Sequence, residues 1–293
     1  MLSPPRALPA LITPFDEAGD LDLKAHRHNL SLLWSRGVRG FLVGGSNGEG
    51  PYLEAGERRA LIAAARATVP DAFLLAGLAA ESVRLALEQA AEAAAAGADA
   101  LLVLCPTTLA RGDAAAVERY YTALAHEAPL PVLLYSMPRY TAYEIPPEVV
   151  AATAARPGIV GMKDSGGDVT RLGALAAALP RGFLLFAGRA AVLAAACRVG
   201  AYGGVCAAAN YAPGLVQRTV ASGRGDEAAQ AVLAALAAAV ECHGIAGVKA
   251  AAEAAGLRAG PPRRPLLPVG PAERAAIAAA LAIAAVEPPG PAE

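Results

Sequence analysis

Short, uniformly apolar runs alternate with longer stretches of helical periodicity along most of the chain. The apolar runs fall at 8–12, 40–43, 73–76, 100–104, 132–135, 158–163, 183–186 and 204–207. They carry no polar alternation, which predicts strands of a parallel sheet buried on both faces. Helical patterns fill the gaps at 23–34, 54–68, 81–96, 114–127, 147–155, 169–179, 190–199 and 213–222, with Asp22 placed to cap the first. Eight strand–helix units at this length predict a closed (β/α)8 TIM barrel of the α/β class, a doubly wound open sheet being the alternative. Beyond position 225 the strands stop. About three Ala-rich helices run to 286, followed by a Pro-rich tail over 287–293. The expected organisation is a barrel over 1–224 that carries the active site, with a C-terminal helical extension over 225–293. An alanine surface all round is a poor solvated face, so these helices must pack on the barrel or on another subunit.

The same pattern isolates one amine. The run G-I-V-G-M-K-D-S-G-G-D over 158–168 is an apolar strand that closes on Lys163 and passes at once into turn residues, with a helix starting near Asp168. The chain holds only Lys24, Lys163 and Lys249, and nearly all its other cations are arginines. Arginine keeps its proton and cannot act as a nucleophile, so a lysine in this position points to a need for an amine. A structural lysine snorkelling to the barrel mouth is the other reading.

Composition then narrows the function classes. Hydrophobic residues make up 55% of the chain, but much of that is alanine, and no apolar stretch is long enough to span a bilayer. A formal net charge of -1 without a basic block argues against a nucleic-acid surface. No signal-peptide pattern opens the chain, and a cytoplasmic protein is expected. Cys105, Cys197, Cys206 and Cys242, with His26, His28, His126 and His243, show no metal-ligand spacing, so no metal site and no disulfide are expected.

In a barrel the C-terminal ends of all strands face one mouth, where residues distant in sequence meet. Ser46 and Asn47 sit in the Gly-rich loop after the second strand, Tyr135 ends the fifth, Lys163 the sixth, and Gly188 follows the seventh. The loop glycines, Gly44, Gly45, Gly48 and Gly50, supply positive-φ turn positions, or the loop presents N–H groups and small polar side chains to a carboxylate. Tyr135 is either a core aromatic or a proton shuttle beside the amine. Lys163 must be neutral to attack a ketone, and burial disfavours the charged form.

Three motifs in this order carry a resemblance: G-S-N-G-E over 45–49, Y-S-M-P over 135–138 and G-M-K-D-S-G-G-D over 161–168. Over nearly the whole chain, including G-I-A-G-V-K at 244–249, the sequence resembles the dihydrodipicolinate synthase/N-acetylneuraminate lyase superfamily of Schiff-base (β/α)8 lyases. Within it, the sequence is most similar to 4-hydroxy-2-oxoglutarate aldolase, through Ser46-Asn47, K-D-S-G-G-D-V-T-R at 163–171 and G-G-V-C at 203–206. The resemblance implies that Lys163 forms the Schiff base and Tyr135 moves protons. It implies that Ser46 and Asn47 hold the 2-oxo acid carboxylate, and that Ser165 and Gly188 line the rest of the substrate site. It further implies a homotetramer.

Two positions depart from the pattern. The synthases carry an arginine five residues after the catalytic tyrosine, where this chain has Tyr140, with Arg139 one residue early. The tyrosines expected after the strand-4 proline are replaced by Thr107, Thr108 and Leu109, so the proton relay they build is missing or rebuilt. The expected activity is retro-aldol cleavage of a 4-hydroxy-2-oxo acid to pyruvate and glyoxylate. No cofactor is needed, because the imine itself is the electron sink. The alternatives are an aldolase for 2-keto-3-deoxy sugar acids, dihydrodipicolinate synthase, or a silent barrel that binds 2-oxo acids.

Overall fold

A computed structural model describes residues 2–286. Eight parallel strands follow one another around a ring: β1 (Ala7–Pro9), β2 (Gly40–Val43), β3 (Phe73–Leu78), β4 (Ala100–Leu104), β5 (Val132–Ser136), β6 (Ile159–Asp164), β7 (Leu184–Ala187) and β8 (Gly203–Cys206). Their order in the sheet is β1-β8-β7-β6-β5-β4-β3-β2. A parallel bridge between Ala10 and Leu42 joins the two ends, and the Leu11 N–H donates to the Leu42 carbonyl at 2.9 Å. The fold is the expected (β/α)8 barrel, with a C-terminal helical part.

Helices α1 (Leu23–Ser35), α2 (Glu57–Thr68), α3 (Val83–Ala95), α4 (Ala114–Glu127), α5 (Pro138–Thr141), α6 (Pro147–Ala154), α7 (Val169–Ala178), α8 (Leu193–Arg198) and α9 (Pro213–Val220) link the strands. Their starts are written in side chains: Asp22, Ser82, Asp113 and Asp168 each accept a hydrogen bond from an N–H of the first turn. Each such cap contributes about 1 kcal/mol. Most boundaries shift by a residue or two, and β1 ends at Pro9 rather than at 12; two differences at helix starts have a local cause. Helix α2 begins three residues late because Gly56 holds φ +82°, outside helical space. The stretch expected as one helix from 190 opens instead as a 3-10 turn, Ala190–Val192, before α8. The four-residue α5 after Pro138 has no counterpart in the expectation, being too short for a periodicity signal.

Two apolar layers form the core. Leu42, Leu75, Leu102, Leu133, Phe186 and Val205 point into the barrel. Phe41, Val43, Leu101, Val103, Leu134 and Leu185 point outward onto the helices. Each strand therefore alternates between two buried faces, as a parallel barrel requires.

Strand β6 breaks that alternation. The register runs Val132↔Ile159, then Leu133↔Gly161, so Val160 is an extra residue and forms a bulge. Ile159 faces the helices and Val160 the barrel interior. A Cβ on Gly161 would meet interior Leu133 and Leu184, so Gly161 also faces inward. Met162 returns to the outer layer, and Lys163 follows into the barrel. Without the bulge the alternation from Ile159 would turn Lys163 outward.

The last three helices, α10 (Glu227–Glu241), α11 (Gly244–Ala254) and α12 (Pro271–Val286), pack on this barrel and on one another. Gln230 of α10 accepts from the Ala194 N–H at 2.8 Å and donates to the Ala190 carbonyl at 3.0 Å, fixing α10 to the segment after β7. The expected tail over 287–293 lies outside the described residues. Among the described residues, no single helix is long and apolar enough to cross a membrane.

Candidate active site

The C-terminal mouth of the barrel holds a cleft into which β5 and β6 deliver a phenol and an amine side by side. Tyr135 and Lys163 are register partners, so their side chains leave the sheet on the same face. Both are buried. The Lys163 ammonium position lies 3.5 Å from the Tyr135 hydroxyl and 4.6 Å from the centre of its ring. The Tyr135 hydroxyl lies 3.3 Å from Ser46 Oγ, which links the strand-2 loop to the amine through the phenol. Both contacts are at the long end of the hydrogen-bond range.

The end of β6 is rigid for a stated reason. The carboxylate of Asp164, fully buried, accepts from Arg171 Nε at 2.9 Å and from the Gly166 N–H at 2.9 Å. Arg171 also donates to the Ile145 carbonyl at 2.6 Å, tying α7 to the segment before α6. The turn after Lys163 is thereby pinned from two sides.

Ser165 and Gly188 flank the amine. Ser165 Oγ is buried with no hydrogen-bond partner, although the Ser165 N–H donates to the Ser136 carbonyl at 3.0 Å. An orphaned hydroxyl costs free energy that a ligand would recover. The Gly188 N–H donates to the Asp164 carbonyl at 2.7 Å. A Cβ on Gly188 would fall 1.9 Å from Ser165 Oγ and 3.0 Å from Lys163 Cε, so only glycine leaves both side chains in place.

The strand-2 loop is two short 3-10 turns, Ser46–Gly48 and Gly50–Tyr52, joined at Glu49 with φ +54°. Of its four glycines only Gly44 has positive φ, contrary to expectation. Gly50 is required by proximity instead, since its Cβ would lie 2.0 Å from the Gly44 carbonyl. Glu49 reaches away from the cleft to Lys249 of α11, at 2.8 Å, and both side chains are buried. The other Glu49 oxygen accepts from the Arg263 N–H at 2.7 Å. Lys249 also donates to the Pro261 carbonyl at 2.7 Å, so its amine is committed to this buried pair, while Lys24 sits exposed on α1.

The structure brings Asn47, Tyr135, Lys163, Ser165 and Gly188 to one cleft, and Ser46 joins it through Tyr135. Thr107 and Thr108 stay out. The Glu81 carboxylate accepts from Thr107 Oγ1 and from the Thr107 and Thr108 N–H groups, which ties the segment after β4 to the one after β3. Burial pushes the Glu81 carboxyl up, but these hydrogen bonds outweigh it and hold the group below its ordinary value. Three charged residues also line the cleft: Arg139, Arg189 and Glu241. Burial pushes the Glu241 carboxyl above its ordinary value, against the pull of Arg189, Arg139 and Lys163. Arg189 and Glu241 were absent from the sequence reading. Arg189 could have been found as the residue after Gly188; Glu241 could have been noticed as the acid that closes the apolar run 231–240 of α10.

The profile of the dihydrodipicolinate synthetase family matches residues 3–284. The chain belongs to this family. Like the family's members, it is an enzyme, a Schiff-base-forming carbon–carbon lyase. Among its relatives, 4-hydroxy-tetrahydrodipicolinate synthase 1 of Streptomyces coelicolor is 35% identical over 270 residues, 89% of this chain and 88% of the relative. An uncharacterized DapA-like lyase of Halobacterium salinarum is 35% identical over 282 residues, 94% of this chain and 92% of that one. Among solved structures, a putative dihydrodipicolinate synthase of Thermus thermophilus is 35% identical with a TM-score of 0.84, covering 94% of this chain and 96% of that chain. The dihydrodipicolinate synthase of Acinetobacter baumannii, solved in complex with pyruvate, is 26% identical with a TM-score of 0.91, covering 97% and 100%.

Proposed function

We propose that the enzyme is a pyruvate-releasing aldolase that cleaves 4-hydroxy-2-oxoglutarate to pyruvate and glyoxylate. One observation carries the reading. Of three lysines, Lys163 alone presents an amine to the cleft, paired in register with a tyrosine. The neutral amine adds to the C2 ketone and expels water as the imine forms. The protonated imine then takes up the electron pair of the C3–C4 bond, leaving an enamine, while the C4 hydroxyl loses its proton and becomes the aldehyde. Protonation of the enamine at C3 and hydrolysis return the lysine and release pyruvate. Tyr135 moves the protons, within reach of the amine on one side and Ser46 on the other. Ser46 and Asn47 hold the C1 carboxylate, and Ser165 supplies a free hydroxyl to the substrate. No metal or organic cofactor enters this scheme. The Ser46-Asn47 pair and the tyrosine at position 140 support the aldolase over the synthase.

The test is borohydride reduction with pyruvate, followed by intact mass and peptide mapping. A single reduced adduct on Lys163, lost together with turnover in Lys163→Ala, is expected. An adduct on Lys24 or Lys249, or none, would overturn the reading. A second reading is 4-hydroxy-tetrahydrodipicolinate synthesis, favoured by the names of the relatives and by Arg139 in the cleft. Comparing kcat/KM for the two reactions separates them. By its family resemblance the enzyme is expected to be a cytoplasmic homotetramer, and light scattering on the purified protein checks the tetramer.

A further inference from the structure

Arg139 follows β5, Arg189 follows β7 and Glu241 ends α10, yet all three line the cleft that holds Lys163. None of these side chains makes a hydrogen bond or an ion pair among the described residues. Arg189 is half-buried and Arg139 exposed, whereas Arg58 commits its donors to the Gly77 and Gly50 carbonyls, Arg171 to Asp164 and Arg263 to Glu57. Two uncommitted guanidinium groups beside a ketone-activating amine are donors waiting for an anion. The C1 carboxylate is assigned to the strand-2 loop, on a different wall, so these arginines face the other half of the substrate. Glu241 stands in the field of both, and of Lys163. It leaves the three side chains with a formal charge of +1, matched to a single added carboxylate.

We infer that Arg189, with Arg139, and Glu241 sort the aldehyde half of the substrate by charge, the arginines drawing in one carboxylate and Glu241 turning away a doubly negative group. This deepens the aldolase reading and rests on it. It makes the preferred partner of pyruvate a short aldehyde with one carboxylate, ahead of neutral sugars and of phosphorylated aldehydes.

The experiment measures kcat/KM for condensation of pyruvate with glyoxylate, D-glyceraldehyde and D-glyceraldehyde 3-phosphate. In Arg189→Gln the ratio of glyoxylate to glyceraldehyde should fall on the order of 10–100-fold, the worth of a charge-assisted hydrogen bond, with Arg189→Lys in between. In Glu241→Gln the ratio of the phosphorylated aldehyde to glyoxylate should rise at least several-fold. Equal losses on all three aldehydes, or unchanged ratios, would overturn the charge-sorting role. Trapping pyruvate on Lys163 in the same variants keeps the two failures apart. An adduct with unchanged ratios sinks the sorting alone, whereas no adduct in the parent enzyme sinks the aldolase reading and the sorting with it.

Discussion

Replacing Lys249 by methionine should cost far more than one surface ion pair, because of what it leaves behind. In the parent, the Lys249 amine sits 2.8 Å from Glu49 and 2.7 Å from the Pro261 carbonyl, and 4.7 Å from the centre of the Phe15 ring. The Glu49 side chain is fully buried, and Lys249 is the only cation on its Oε1. Without the amine, Glu49 keeps one hydrogen bond, from the Arg263 N–H, and no ion-pair partner, the Arg263 guanidinium being committed to Glu57. Stranding one member of a buried pair costs about 3–5 kcal/mol. For 293 residues the unfolding entropy is about 0.6 kcal/mol per kelvin, so Tm should drop by about 5–8 °C. The double variant Glu49→Gln, Lys249→Met removes the stranded charge and should regain at least half of the loss. Urea and thermal unfolding of parent, single and double variants measure this directly. A Lys249→Met protein within about 1 kcal/mol of the parent, or a double variant no better than the single, would refute the argument from uncompensated charge.

Other outcomes are open to the same kind of measurement. His26 is buried, donates from Nε2 to the Leu61 carbonyl, and burial lowers its pKa from 6.5 to about 4. The unfolded chain therefore takes up a proton that the folded one refuses below pH 6.5, and stability falls as pH drops from there towards 4. At pH 5 the loss is about 2 kcal/mol, and His26→Gln should flatten that slope in pH-dependent unfolding. Gly188→Ala forces a methyl group into Ser165 and Lys163, and should lower pyruvate trapping by at least about 100-fold while the unfolding midpoint moves little. Tyr135→Phe should lower kcat by about 10²–10⁴-fold, with the pyruvate adduct on Lys163 still detectable by mass.

Much of the barrel was legible because its strands are short and uniformly apolar. Runs 40–43 and 100–104 match β2 and β4 to the residue, and the helix starts at Asp22 and Asp168 follow from their capping side chains. The same uniformity hid the bulge. Where both faces of a strand are buried, hydropathy carries no information about which residues point inward, so the orientation of Lys163 could not be read from 158–163. Glycine was ambiguous in a similar way: a loop rich in it can need positive φ, as at Gly44, or bare space, as at Gly50, and the letters are identical. The missed wall of the cleft has another cause. Glu241 reaches the cleft only through the packing of α10 on the segment after β7, which no local pattern announces.

The bulge at Val160 makes the length of β6, more than its composition, the carrier of the chemistry. Ile159, Val160 and Met162 meet only apolar neighbours, and such positions accept volume-conserving exchange at modest cost. Loss of one residue there would leave hydropathy and propensity almost unchanged, yet would rotate Lys163 out of the cleft and into the layer beneath the helices. Drift by substitution and drift by deletion are thus under opposite pressure within one strand: the letters at 159, 160 and 162 can change, while the number of residues leading to Lys163 is frozen.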